Sequence, residues 1–438
     1  MFLTKLTWQA YKCCLARPCG ELDRFQLLDP DRQRREIAKL LLAQIRYFGT
    51  RADAFPEWRE AARAREPEDL WKLWPSLPVM TKASLNTRFD PAEMQRRFGL
   101  RGRTNATGGS TGEPTRFFLD TPMLRASRGG DFYTRIKMGW RPGMSTIIVW
   151  GSDRDIGRQS KPLYRLAHAL YGNRLVPGFE VDDQSIARIL AIVRSEAPVA
   201  IYGYSSLLEH LAERTLAAGT QPPAGSVAAA WNGGEMLYDH QVQSFKCAFG
   251  VPILNRYGGR ELSTMAFQEH EGAHLRVLRP WVLVEILDAS GNPAAPGEPG
   301  RLVVTSTICR GTPFLRYDVG DLGICSEADI DESGVRTIAR LEGRHAGAMR
   351  LSGGRFVSAL YWNHLMKDYP EVNQFQVRLK AEGPISILLV GTGFTSTRAD
   401  QLRDALRIVW KDQPVDLVWT ESIPRSPQGK LMQVIQES

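Results

Sequence analysis

The chain has 438 residues, of which 43% are hydrophobic and 24% charged, with a formal net charge of +8. These proportions are typical of a globular enzyme, and the length predicts two domains. The arginines are scattered and no base-stacking motif accompanies them, so we expect a basic surface that steers anionic substrates and no nucleic-acid binding. No apolar run is long enough for membrane insertion. Six cysteines without a CxxC pair favour a reduced, cytoplasmic protein.

The predicted elements begin with an amphipathic helix over 31–49. Its apolar residues recur at helical spacing: Ile37, Leu40, Leu41, Ile45 and Phe48. From about residue 145, short apolar runs alternate with segments of helical periodicity, which indicates an α/β architecture with helices packed on sheets. The predicted strands are 145–150, 198–204, 226–231 and 251–257, and the predicted helices include 206–218 and 239–249.

The composition changes after residue 280. The runs WVLVEIL and RLVVTST flank a Gly/Pro-rich loop over 288–300, a pattern typical of a hairpin. The C-terminal residues predict strands VNQFQVRL and ISILLVG and a helix over 398–410, in which Leu402, Leu406 and Val409 share one face. We therefore expect a large N-terminal α/β domain with a β-rich subdomain over 1–343. A small, mobile C-terminal α+β domain is expected over 344–438.

A glycine-, serine- and threonine-rich stretch, TGGSTGEP at 107–114, is the strongest chemical signal. Such a loop lets backbone N–H groups and hydroxyls wrap a polyphosphate, because glycine has no side chain to block the approach. Taken alone, such a run is more often simply a turn. Three further motifs follow it in order: YGGRE at 257–261, RYDVGDL at 316–322 and PRSPQGK at 424–430.

Together, the four motifs resemble those of the adenylate-forming enzymes, the superfamily of acyl-CoA synthetases, peptide-synthetase adenylation domains and luciferases. Three longer segments resemble the phenylacetate–coenzyme A ligase branch and its relatives in capsular-polysaccharide loci: LPVMTKASL, LEGRHAGAMRLSGGRFVS and KDYPEVNQFQV. The resemblance runs from about residue 77 to the C-terminus. It implies that a substrate carboxylate attacks the α-phosphate of ATP, releasing pyrophosphate and leaving an acyl-AMP. The protein would then supply positioning and charge neutralisation.

The resemblance also implies a set of nucleotide-binding residues. The glycine-rich loop would hold the β- and γ-phosphates, and the segment NGGEML at 232–237 would line the adenine pocket. The residues concerned are Thr107, Gly109, Ser110, Thr111, Gly112, Gly233, Gly234 and Glu235.

The YGGRE motif would contribute three residues. By resemblance, Tyr257 would stack on adenine beside Gly258, and Glu261 would be a catalytic residue holding the Mg²⁺ that bridges phosphate oxygens. Magnesium keeps most of its waters and needs one or two carboxylates, which suits a single glutamate. A glutamate at the start of a helix is the alternative interpretation, since it complements the helix dipole.

The later motifs would complete the site. Asp321 matches the aspartate that accepts hydrogen bonds from both ribose hydroxyls, for which a carboxylate is suited. Arg344 matches an arginine that reaches the nucleotide. Lys430 matches the catalytic lysine that bridges the carboxylate and the α-phosphate during adenylation.

Some positions depart from the family pattern. Glu113 stands where a lysine is usual, and Ala346 and Gly347 stand where Asp-Asp is common. Some members hold zinc with a Cys/His pair and a later CxC. This chain offers His270, His274, Cys309 and Cys325 but no closely paired cysteines, so the sequence leaves zinc unassigned.

The leading hypothesis is therefore an ATP-, Mg²⁺- and coenzyme A-dependent ligase that activates a small-molecule carboxylic acid. Its alternative is a ligase that transfers the acyl-adenylate to an amine, a hydroxyl or a carrier protein. A catalytically silent nucleotide-binding relative is a second alternative, which Glu113 and Ala346 keep open. The sequence leaves open the identity of the acid and whether the chain forms a homodimer. A pocket is expected around 202–206, with Trp231 and the residues after 257.

Overall fold

A computed structural model describes residues 17–51, 58–106, 115–150, 171–177, 183–326 and 334–344. It also describes shorter segments: 162, 166, 168–169, 330–331, 349–350, 356–357, 365–366, 369, 371–380, 385–391, 395–409, 414–423 and 434–437.

The N-terminal part of the chain is helical. Its elements are α1 (17–26), α2 (Pro30–Arg51), α3 (Trp58–Ala61), α4 (Pro67–Leu73), a 3₁₀ turn (Trp74–Ser76), α5 (Lys82–Arg88) and α6 (Pro91–Phe98). Side chains cap the short helices: Thr81 accepts from the backbone N–H of Ser84, and Asp90 accepts from that of Ala92. These caps satisfy donors that a short helix would otherwise leave unpaired.

The predicted helix over 31–49 is confirmed as α2, with one correction to its buried face. Ile37, Leu41, Ile45 and Phe48 are buried, whereas Leu40 is 36% exposed. Leu42 is buried in its place. The helix packs against both α3 and α4, and its buried face includes Leu42 but not Leu40.

A hairpin and a long helix lead into a parallel sheet. Strands β1 (Gly102–Ala106) and β2 (Arg116–Asp120) are antiparallel, and α7 (Thr121–Lys137) follows. The parallel sheet has the order β4-β3-β5-β6-β7. Its strands are β3 (Ser145–Trp150), β4 (Asn173–Pro177), β5 (Val199–Gly203), β6 (Val227–Asn232) and β7 (Ile253–Leu254). Its helices are α8 (Asp183–Glu196), α9 (Ser205–Ala217) and α10 (Asp239–Phe249), so the predicted alternation is confirmed.

The predicted strand over 251–257 is wrong in one respect, because it comprises two strands in different sheets. After β7, the chain leaves the parallel sheet, and β8 (Arg256–Gly259) belongs to a separate four-stranded antiparallel sheet. The side chain of Asn232 accepts a hydrogen bond from the backbone N–H of Arg256 at 3.0 Å. This contact binds the chain at the point where it turns away from β7.

Antiparallel sheets make up the β-rich part. The four-stranded sheet also contains β9 (Ser263–Phe267), β10 (Leu275–Val277) and β16 (Thr337–Ile338). A six-stranded sheet has the order β14-β15-β11-β12-β13-β17. Its strands are β11 (Val282–Leu287), β12 (Gly300–Ser306), β13 (Tyr317–Ile324), β14 (Ile330–Asp331), β15 (Gly334–Val335) and β17 (Arg340–Arg344). Strands β11 and β12 are antiparallel neighbours, which confirms the predicted hairpin.

The C-terminal residues form a sheet with its own hydrophobic cluster. After the short pair β18 (Met349–Arg350) and β19 (Phe356–Val357), the sheet has the order β22-β21-β20-β23. Its elements are β20 (Val372–Lys380), β21 (Ile385–Gly391), α11 (Ser396–Val409), β22 (Val415–Trp419) and β23 (Val434–Glu437). Leu402 and Leu406 of α11 are fully buried in this cluster, as predicted.

The α/β fold class is confirmed by this mixture of parallel and antiparallel sheets covered by helices. Strand β17 extends to Arg344 and pairs with β13. The proposed division of the chain at 343/344 remains a prediction. Within the described ranges, every helix is too short or too polar to cross a membrane.

Candidate active site

Three of the predicted nucleotide-binding residues converge on β13. The hydroxyl of Tyr257, on β8, donates a hydrogen bond to Oδ2 of Asp321 at 2.8 Å. Asp321 is in turn the backbone partner of Arg344 across the β13–β17 pair. A carboxylate has about four lone-pair sites, so an aspartate held by a tyrosine keeps the capacity to accept from a diol. Tyr257 therefore fixes the orientation of the carboxylate that the sequence predicts to bind ribose.

We expect Tyr257→Phe to weaken nucleotide affinity about 10-fold, equivalent to about 1.4 kcal/mol, because it removes a hydrogen bond that orients Asp321 while keeping the ring. Titration of AMP and ATP by calorimetry measures the effect. Tyr133→Phe is the matched control, since its hydroxyl contacts Arg276 at 3.4 Å. Equal affinities in Tyr257→Phe and the parent protein would show that the hydroxyl does not position Asp321.

The two ends of the glycine-rich loop lie at this site. The loop residues Thr107, Gly109, Ser110, Thr111 and Gly112 are outside the described residues. The flanking residues Ala106 and Arg116 are paired across the β1–β2 hairpin, so both ends of the loop are close together. The Ala106 carbonyl accepts from Nη1 of Arg260 at 3.5 Å, which brings the YGGRE motif beside the start of the loop.

Glu261 lies near the other end of the loop. Thr115, the first described residue after it, is fully buried beside the Tyr317 hydroxyl. Burial raises the pKa of Tyr317, and the nearby Glu261 carboxylate raises it further. A carboxylate thus lies near the residue at which the chain leaves the glycine-rich loop.

The segment after β6 is built around close contacts that favour glycine. A Cβ atom on Gly233 would lie 2.7 Å from the Tyr202 hydroxyl, and Gly234 has φ +77° with Tyr204 close by. This segment lies at the carboxyl end of a parallel strand, the edge where open α/β sheets bind ligands. Gly233 and Gly234 therefore leave room for neighbouring rings and for a ligand at this edge.

Asn232 joins three strand ends, and we did not predict a role for it. Its side chain is fully buried, donating to the Ser205 hydroxyl at 2.9 Å and the Glu235 carbonyl at 3.0 Å while accepting from Arg256. The sequence signal was a polar residue ending an apolar strand. Asn232 is a positioning residue that links the ends of β5, β6 and β8.

Aromatic rings stack along the expected pocket segment. Tyr202 is stacked between Trp150 and Trp231, with ring centroids 5.3 and 6.1 Å away. Trp150 also stacks on Tyr204 at 4.1 Å. The rings come from the carboxyl ends of β3, β5 and β6, and Trp231 is fully buried whereas Tyr202 and Tyr204 are half-buried. This aromatic stack forms one wall beside Gly233 and Gly234.

Lys82 brings a cation to the strand that carries Asp321, which motif reasoning did not assign. Met80 forms a bridge to β13: its N–H donates to the Arg316 carbonyl and its carbonyl accepts from the Asp318 N–H, both at 2.8 Å. This places the Lys82 ammonium 3.4 Å from the position that a Cβ on Gly320 would occupy. The contact depends on tertiary pairing between segments more than 230 residues apart in sequence, so it had no local signal.

A buried arginine, Arg316, anchors the segment 74–77, which precedes Lys82 in the chain. Arg316 pairs with Glu285 at 3.0 Å and donates to the carbonyls of Trp74 and Pro75 at 3.1 Å, and to that of Leu77. Its side chain is 2% exposed and its φ is +46°, an uncommon value for a residue with a side chain. The arginine of the RYDVGDL motif thus fixes the connection between the N-terminal helices and β13.

The candidate zinc ligands do not form a cluster. Cys309 is buried with its thiol near the Phe118 carbonyl, and Cys325 is also buried. His270 is exposed and contacts the backbone of Glu271. Across the part of the chain that the structure describes, His, Cys, Asp and Glu side chains do not come together in threes in an arrangement able to hold a metal. Lys430 lies outside that part.

Comparison with known proteins supports the same interpretation. A family described as AMP-binding enzyme matches residues 165–310. The phenylacetate-coenzyme A ligase of Thermus thermophilus is 28% identical over 226 residues, 50% of this chain and 49% of that protein. The matched region thus spans about half the length of this curated relative.

Solved structures share the fold. A 2-hydroxyisobutyryl-CoA ligase in the postadenylation state, in complex with 2-HIB-AMP, aligns with a TM-score of 0.66 at 17% identity, covering 94% of this chain and 90% of that one. The O-succinylbenzoate coenzyme A synthetase of Bacillus subtilis, in complex with AMP, aligns with a TM-score of 0.55 at 17% identity, covering 75% and 67%. The shared fold and the match to AMP-binding enzymes over 165–310 therefore agree with the resemblance that the motifs predicted.

Proposed function

We propose that this chain, which shares the fold of the adenylate-forming enzymes and matches the AMP-binding enzyme family over residues 165–310, activates a carboxylic acid as its acyl-adenylate and transfers the acyl group to coenzyme A. The hydrogen bond between Tyr257 and Asp321, formed beside both ends of the glycine-rich loop, carries the proposal. It joins residues from two motifs that lie 64 positions apart in sequence.

In this proposal, the described residues bind and orient the nucleotide. Asp321 accepts from the ribose hydroxyls, Tyr257 holds Asp321 and presents its ring to adenine, and Gly233, Gly234 and Glu235 border the base. With the nucleotide fixed, the carboxylate of the acid can approach the α-phosphate at high effective concentration. The Lys82 ammonium adds positive charge beside this strand.

The metal proposal rests on Glu261. Its carboxylate lies near Tyr317 and the end of the loop, and a single carboxylate with waters suits Mg²⁺. When bound, Mg²⁺ would neutralise charge on the phosphate oxygens. Cytoplasmic placement remains part of the proposal.

The C-terminal residues would complete the reaction. Lys430 would contact the carboxylate and α-phosphate during adenylation, yet transfer requires a thiol to reach the same carbonyl. We therefore propose that the domain over 344–438 changes its position between the two steps.

Acid-dependent ATP–pyrophosphate exchange tests adenylation, and product analysis with coenzyme A against added amines tests the acceptor. We expect exchange that requires an added acid and a thioester product that requires coenzyme A. Exchange without thioester, together with amide formation, would favour the alternative acceptor. Nucleotide binding without exchange for any acid would favour a silent relative.

We expect Glu261→Gln to raise the Mg²⁺ concentration needed for half-maximal exchange about 10-fold, because an amide carries no charge to hold the cation. Mg²⁺ titration at saturating ATP measures this. Glu269→Gln is the matched control, since Glu269 pairs with Arg276 on the same sheet. An unchanged Mg²⁺ requirement in Glu261→Gln would remove Glu261 from the metal site.

A further inference from the structure

A cluster of charged side chains lies beside the aromatic stack. Asp131 of α7 contacts two arginines: Oδ1 is 2.8 Å from Nη1 of Arg256, and Oδ2 is 2.9 Å from Nη2 of Arg135. The guanidinium carbon of Arg256 lies 5.3 Å from the centroid of the Tyr202 ring, and that of Arg135 lies 5.7 Å from the Trp231 ring. We call Asp131, Arg135 and Arg256 the arginine–aspartate cluster. It is joined to the stack by cation–π contacts.

The arginine–aspartate cluster carries more positive than negative charge. Burial raises the pKa of Asp131, but Arg135 and Arg256 outweigh burial and hold that pKa below its ordinary value, so the carboxylate is ionised. Two guanidinium groups therefore share one carboxylate, with side chains only 14–24% exposed. A partly buried charge without a full complement of anionic partners is unfavourable, and an anionic ligand would relieve it.

Hydrogen bonding within the cluster is also incomplete. Nε of Arg135 is buried and makes no hydrogen bond within the described ranges. Arg256 uses Nε to donate to the Thr264 hydroxyl at 3.0 Å, which fixes its guanidinium plane. A planar guanidinium held in this way can recognise a carboxylate or a similar anion with defined geometry.

The cluster adjoins the reaction site through two contacts. Arg256 immediately precedes Tyr257 on β8, so the two backbones adjoin, while the Arg256 side chain points to the other face of the strand, where it lies over Tyr202. Tyr202, which lies under Arg256, places its hydroxyl 2.7 Å from the position of a Cβ on Gly233. To reach Arg256, an acid whose reacting carboxylate lies at the nucleotide edge would extend along the aromatic stack.

We propose that the arginine–aspartate cluster selects a carboxylic acid that carries a second anionic group, which Arg256 and Arg135 bind while the other carboxylate is adenylated. The inference rests on the proposed function and names the substrate class for it. A site built to pair a polar group discriminates strongly against an analogue that lacks that group, because its own donors are then left unpaired.

The test compares acids that differ by one carboxylate: propionate with succinate, butyrate with glutarate, and benzoate with isophthalate. kcat/KM for acid-dependent pyrophosphate exchange is measured for each. We expect the dianionic acid to be preferred by at least about 10-fold in one or more pairs. A preference for the monocarboxylate, or no preference, in all three pairs would overturn the proposal while leaving adenylation intact. If none of the acids supported exchange, that result would instead refute the proposed function, and this inference with it.

Variants test whether Arg256 is responsible for the preference for dianionic acids. In Arg256→Gln, the ratio of dianionic to monoanionic kcat/KM should fall to near 1, and Arg256→Lys should retain part of it because the charge remains. Arg276→Gln is the matched control: Arg276 also pairs with a glutamate and lies over an aromatic ring, that of Phe267. AMP affinity, measured in each variant, shows whether the nucleotide site is still folded. An unchanged ratio in Arg256→Gln with normal AMP affinity would overturn the assignment.

Discussion

Lys430→Ala should slow adenylation about 100-fold or more while ATP affinity stays nearly unchanged. A charge-assisted contact made mainly in the transition state affects the rate and not ground-state binding, and 100-fold corresponds to about 2.7 kcal/mol. Pyrophosphate exchange at saturating acid gives the rate, and calorimetry gives the affinity.

Lys246→Ala provides the control for this prediction. Lys246 lies on α10, outside the predicted site motifs, and forms an exposed ion pair with Glu271. An exchange rate in Lys430→Ala equal to that of the control would exclude the role assigned to Lys430. A parallel loss of ATP affinity would mean that the lysine binds the ground state instead.

Glu285→Ala should lower the free energy of unfolding by about 3–5 kcal/mol, because it leaves the Arg316 guanidinium buried without its carboxylate. Burial raises the pKa of Glu285 although Arg316 is adjacent, so burying this pair is itself costly. When Glu285 is removed, nothing compensates for the free energy of burying the Arg316 charge. Urea denaturation followed by circular dichroism measures the loss.

The matched variant is Glu21→Ala, which removes an ion pair whose arginine, Arg17, is 86% exposed. We expect a change of about 1 kcal/mol or less there, as for most surface pairs. Similar small losses in both variants would show that Arg316 is held by the carbonyls of the 74–77 segment without help from Glu285.

Much of the fold could be predicted because hydrophobic periodicity is a local property. The helix over 239–249 was predicted with the bounds that the structure gives it, and strand 145–150 likewise. The division of 251–257 was not predictable, since it depends on a hydrogen bond from Arg256 to Asn232, 24 residues earlier. Leu40 was assigned to the wrong face because sequence spacing alone does not show which neighbours a helix packs against.

The candidate site could likewise be predicted from the sequence only in part. Tyr257 and Asp321 could be proposed from their motifs, whereas the hydrogen bond between them joins residues 64 positions apart. Lys82 and Arg256 had no local signal, since their partners lie on segments that only the tertiary fold brings near. Motifs thus supplied the residues that we propose to contact the nucleotide, whereas packing showed the residues that position them.

The anchoring of the 74–77 segment by Arg316 has a consequence during synthesis of the chain. The carbonyl of Leu77 leaves the ribosome 239 residues before the arginine that binds it. At roughly 5–20 residues per second, that interval is on the order of 10–50 s. Throughout it, the N-terminal helices can form through their local caps, but the segment that bears Lys82 has no strand to pair with. The first hundred residues of the nascent chain therefore complete their folding only after β13 has been translated.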